Sequence, residues 1–157
     1  METEISKLRE EISSEDWETS LSAAERLADM GTSESILLLV ENLRKKSASI
    51  RNAAALGLMR IPREEHLVYL IERIRELGPK EEIGTLVYAL ECFNCSAILT
   101  DIVNLYLNGN FEVRQSANNI LNDQSFVLSN IEWEEINRKL QEQDLTLDSF
   151  NIRYVIK

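Results

Sequence analysis

His66 is the one histidine of this 157-residue chain, and Cys92 and Cys95 are its two cysteines. A single imidazole excludes zinc sites that need two or more, and no Ser-His-Asp or Cys-His constellation with a spare ligand can be drawn around it. His66 therefore reads as a surface or helix-terminal residue, with a pH-sensitive contact as the alternative. The cysteines stand in "CFNC", a spacing at which two thiols could oxidise together or bind a metal. No second pair accompanies them and no βαβ pattern surrounds them, so structural thiols are expected, with Cys92 as a small apolar filler. Gly57, Gly78, Gly84 and Gly109 are isolated, and none belongs to a loop that could cradle a phosphate. The carboxylate pairs Glu10-Glu11, Glu64-Glu65, Glu81-Glu82 and Glu134-Glu135 fall on polar helical faces, without the apolar pocket that would raise a pKa for acid-base work. The expectation is no catalytic residue, no metal and no cofactor.

The elements carrying these residues follow from the spacing of apolar positions. Breaks fall near Gly31, Ser47 to Ser49, Pro62, Gly78-Pro79, Asn94, Asn108 to Asn110 and Asn122 to Gln124. Between them apolar residues recur at three and four, the helical period, so the chain reads as all-α. Ser33, Ser49 and Ser96 stand where helix N-caps are wanted.

The stretches also repeat. A shift of 31 places Ala23 on Ala54, Ala24 on Ala55, Leu27 on Leu58, Met30 on Ile61, Ile36 on Leu67, Leu39 on Leu70, Val40 on Ile71 and Leu43 on Ile74. A further shift of 32 places Leu70 on Ile102, Ile71 on Val103 and Ile74 on Tyr106, although Ala54 and Ala55 become Leu86 and Val87. A fourth copy opens at Phe111, with Val113 on Ile50, Arg114 on Arg51, Ala117 on Ala54 and Leu121 on Leu58. A period near 30 implies stacked helical hairpins that bury their apolar faces against neighbours. The run Ala53 to Ala55 fits this arrangement, since small side chains let helices cross closely.

The motifs "IRNAAALGL" and "VRQSANNIL", with "DWETSLSAAERLADMG" in the first copy, resemble HEAT repeats over roughly residues 14 to 140. The resemblance implies an α-solenoid of about four HEAT-like hairpins in one domain, with an N-terminal capping helix at 1–13. Repeat units are expected at 14–46, 47–78, 79–109 and 110–141, with a tail at 142–157. Ser20 stands where the pattern has arginine and no aspartate precedes Ile50 or Val113, which leaves an Asp–Arg ladder between repeats without its acidic members.

In such a solenoid the second helices line a continuous face used for partners. The expected outward positions are Leu38, Glu41 and Asn42, then Tyr69, Glu72 and Arg73, then Asp101 and Asn104. With 27 acidic and 17 basic residues the chain carries a net charge of −10, which opposes nucleic acid and anionic membrane surfaces. It suits a basic protein partner, with Tyr69 as an aromatic anchor. The N-terminus lacks the apolar stretch of a signal peptide, so a cytoplasmic location is expected. A non-catalytic binder follows, most concretely an immunity or inhibitor protein that covers the functional face of a basic toxin such as a nuclease. An adaptor or scaffold is the alternative, and a HEAT-like enzyme of the DNA glycosylase or chromophore lyase type is a third class.

Overall fold

The stretches with helical period fold as helices in the computed structural model, which describes residues 3–157. Positions 1 and 2 of the expected capping segment lie outside the described residues. Contacts divide the chain into two compact units, residues 1–93 and 94–157.

The first unit contains α1 (Glu4–Ile12), α2 (Trp17–Met30), α3 (Ser33–Leu43), α4 (Ala48–Met59), α5 (Glu64–Leu77) and α6 (Gly84–Leu90). Side-chain caps start four of them: Thr3, Asp16, Thr32 and Ser47 each accept from a backbone N–H three residues on. The caps of α3 and α4 are thus Thr32 and Ser47, not Ser33 and Ser49, which lie inside the first turns.

Two layers result, in which α2, α4 and α6 pack successively in one and α1, α3 and α5 in the other. The capping helix α1 packs on both α2 and α3, taking the place a second helix of a preceding repeat would hold. Helix α4 is enclosed by α2, α3 and α6, and Ala53, Ala54 and Ala55 are all fully buried. A helix surrounded on three sides must be apolar around most of its girth, and alanine supplies this without pushing its neighbours apart. Gly57 continues the crossing: a Cβ there would lie 2.7 Å from Leu39 Cδ2 and 3.0 Å from the Ala24 carbonyl oxygen.

Arginine links successive repeats by a route that needs no aspartate. Buried Arg51 donates through Nη1 to the Lys46 carbonyl at 2.8 Å and through Nη2 to the Glu82 carbonyl at 3.1 Å. Burial, and then the charge of Arg73, lower the pKa of the Arg51 guanidinium from its usual value. Ser20, which replaces the first repeat's arginine, is buried and donates to the Ile12 carbonyl at 2.7 Å.

The second unit contains α7 (Leu99–Asn108), α8 (Phe111–Asp123), β1 (Ser125–Leu128), α9 (Asn130–Gln141), a 3-10 turn (Leu147–Phe150) and β2 (Arg153–Ile156). Helix α7 packs on α8, and α9 packs on α7 and β1. Ser96 is not a cap, since α7 begins at Leu99 without a side-chain cap bond. The expected tail instead forms a parallel pair with β1, in register from Ser125 on Arg153 to Leu128 on Ile156. Phe126 and Leu128 point inward on alternate positions of β1, the period of a half-buried strand. Helix is nevertheless the dominant element of the chain, as an α-solenoid of HEAT-like hairpins requires.

Candidate functional site

Helix α3 contains "ILLLV", five apolar residues without a polar one to mark which points outward. The structure fixes the phase. Leu37 is 55% exposed, whereas Leu38 is 1% exposed and belongs to the core. Asn42, one turn after Leu38, is also buried: its amide donates to the Leu38 carbonyl at 2.8 Å and its Oδ1 accepts from Ser13 at 2.9 Å. Leu38 and Asn42 are therefore corrected from outward contacts to packing residues. Helix α5 repeats the phase, with Val68 exposed where Leu37 is, and Tyr69 half-buried.

Arg73 also leaves the outward set. It repeats position 42, and like Asn42 it ties its helix to the end of the preceding one. Its Nε donates to the Leu43 carbonyl at 3.2 Å and its Nη2 to those of Arg44 and Lys45 at 3.3 and 3.2 Å. A cation at the open carbonyls of a helix C-terminus is well placed electrostatically. Its Nη1 pairs with Glu76 at 3.0 Å.

Glu41 and Glu72 are exposed, as expected. Glu41 lies 3.9 Å from Arg9, which also pairs with Glu34 at 3.2 Å. Glu72, together with Glu65, forms no ion pair with the described residues. Asp101 and Asn104 are partly exposed on α7, in the unit of residues 94–157, where Asn104 accepts from the Asn108 amide.

Between α3 and α5 lies an open cleft of about 590 Å³. Ile36, Leu37 and Val40 line it from α3, His66 and Tyr69 from α5, and Arg44 from the end of α3. His66 is buried, not a surface residue; its Nδ1–H donates to the Ile61 carbonyl at 2.6 Å, which fixes the ring at the start of α5. The repeat alignment found Tyr69, Glu41 and Glu72 but missed Leu37 and Val68. Glu34 and Glu41 stand three before and four after Leu37, and that helical spacing of charges was the signal for the outward stripe.

The thiols are free, Cys92 exposed and Cys95 buried. Burial, partly opposed by a hydrogen bond from Gln124, pushes the Cys95 thiol up to about 12, which makes it a poor nucleophile at neutral pH. Among the described residues no helix is long and apolar enough to cross a membrane.

Residues 5–91, more than half of the chain, match the family described as HEAT repeats. No curated protein and no solved structure matches the chain. Arrays of this type present helix faces for protein binding or scaffold work. With its two-layered hairpins, its alanine-lined crossing, its inter-repeat arginine and this match, the chain belongs to the HEAT-repeat family.

Proposed function

We propose that the chain is a non-catalytic inhibitor of a basic protein, docked on the α3 and α5 face and covering that partner's functional surface in the manner of an immunity protein against a toxin. The observation that carries this reading is the α3–α5 cleft, where Leu37 and Tyr69 offer an apolar seat beside Glu65, with Val68 and Glu72 exposed outside the cleft on the same helix α5 and both carboxylates without an ion pair among the described residues. An apolar centre with a charged rim is the anatomy of a specific interface, and the net charge of −10 favours encounter with a cationic surface. A nuclease is a fitting class of partner, because its own substrate demands a basic face.

Affinity capture with the unchanged chain and with Leu37→Asp as baits tests it, followed by reconstitution with the purified partner. The expected result is a basic protein bound one-to-one, released from the variant and inactive while bound. An acidic partner, or one held equally by Leu37→Asp, contradicts the assignment. A partner that keeps its activity while bound favours the adaptor reading, to which a separate cleft in residues 94–157 also points.

A further inference from the structure

Arg114 repeats position 51, yet it is used differently. In the first unit the repeated arginine is buried and donates through Nη1 and Nη2 to two backbone carbonyls. Arg114 is exposed and makes no hydrogen bond or ion pair with the described residues. Its guanidinium carbon lies over the Tyr106 ring, 5.4 Å from the centroid. Tyr106 is in turn held by the edge of Phe150, with ring centroids 4.8 Å apart and planes at 84°. A guanidinium over an aromatic face is oriented while its N–H groups stay available to an acceptor.

Those donors line a cleft of about 630 Å³ along α8, shared with Phe111, Gln115 and Asn118. Phe111 is 80% exposed, an unusual place for a phenyl ring. The Gln115 and Asn118 side chains make no hydrogen bond with the described residues. Asn118 stands four positions after Arg114 and three after Gln115, so it neighbours both on the helix surface, and all three line the cleft. The wall is fixed by the close approach of Gly109 to α8, where a Cβ would collide with Val113 Cγ1 and lie 2.6 Å from the Leu105 carbonyl oxygen.

We propose that this cleft binds a peptide segment in which one carboxylate side chain adjoins an apolar residue. Arg114 takes the carboxylate through charge-assisted hydrogen bonds, Gln115 and Asn118 meet peptide N–H and C=O groups, and Phe111 covers the apolar side chain. Amide side chains donate and accept at once, which suits a peptide backbone. One guanidinium among the nine acidic and five basic residues of 94–157 is a poor seat for a polyanion, so nucleic acid does not fit. The site lies on another unit than the α3–α5 face and stands independently of the function proposed for that face.

The test is a ¹⁵N NMR titration of the full chain with acetyl-Ala-Glu-Leu-Ala-amide, its Gln counterpart and inorganic phosphate. The Glu peptide is expected to give saturable millimolar shifts at Phe111, Arg114, Gln115 and Asn118, with the Gln peptide and phosphate each about tenfold weaker or more. Arg114→Gln abolishes these shifts, and Arg114→Lys, which keeps the charge but loses the planar fork, weakens them, both with the rest of the spectrum unchanged. Absence of saturable shifts at these residues, equal binding of the Gln peptide, equal binding of phosphate, or an unaffected Arg114→Gln variant overturns the proposal.

Discussion

Gly57 and the three alanines before it set how closely α4 approaches its neighbours. In an exposed helix Gly→Ala gains stability by about 1 kcal/mol through propensity alone. At position 57 the new methyl meets the Ala24 carbonyl and the packed Leu39 side chain, and overpacking of that kind costs about 1–3 kcal/mol. Gly57→Ala is therefore expected to lower the urea midpoint, as is Ala54→Leu, while Ser22→Ala on the exposed side of α2 leaves it nearly unchanged. The alanine positions were legible because their repetition at 31 residues marks them as crossing points. Leu38 was not, because an all-apolar run leaves the helical phase open and its neighbour Leu37 satisfies the same spacing. The thiols differ at this scale as well. Iodoacetamide at pH 8 is expected to modify Cys92 and spare Cys95 until urea unfolds the chain. Since burial holds Cys95 protonated to about pH 12, its contribution to stability is complete below the thiol's unfolded range and declines as pH rises from about 9 through 12. Rapid labelling of both thiols in the folded chain would contradict the placement of Cys95.

At the scale of elements, caps and strands decide where the helices end. Asp16 starts α2 by accepting from the Thr19 hydroxyl and the Thr19 backbone N–H, and these bonds hold its carboxyl below the usual carboxylate range. A depressed carboxyl stabilises the fold above its unfolded pKa and loses that contribution as pH falls through the lowered value. The difference in urea midpoint between the unchanged chain and Asp16→Ala is thus expected to be largest at neutral pH and to shrink on acidification. A difference that grew in acid would contradict the cap. In residues 94–157 the single largest buried side chain is Phe126, on β1. Phe126→Ala is expected to destabilise that unit by about 3–5 kcal/mol, read as faster amide exchange in α9 and β2. The helices were legible from period; the strands were not, because four residues of alternating pattern are too short to separate from a loop, and their pairing is a contact between segments 28 positions apart in register.

For the molecule as a whole, charge and repetition have separate consequences. Repetition specifies the family and leaves the partner open, because stacking fixes the buried face of each helix and puts little constraint on the outward one. Charge acts at longer range and shows itself in rates. The measurement that bears most directly on the α3–α5 face is the association and dissociation kinetics of the captured basic partner, over a salt series, with the unchanged chain, Glu65→Gln/Glu72→Gln and Tyr69→Ala. Loss of the two carboxylates is expected to slow association more than it speeds dissociation, with a deficit that closes as salt screens exposed charges beyond about 8 Å at physiological strength. Tyr69→Ala is expected to raise the dissociation rate about tenfold or more with little dependence on salt. A salt-independent association rate, or rates unchanged in both variants, would place the partner on another face.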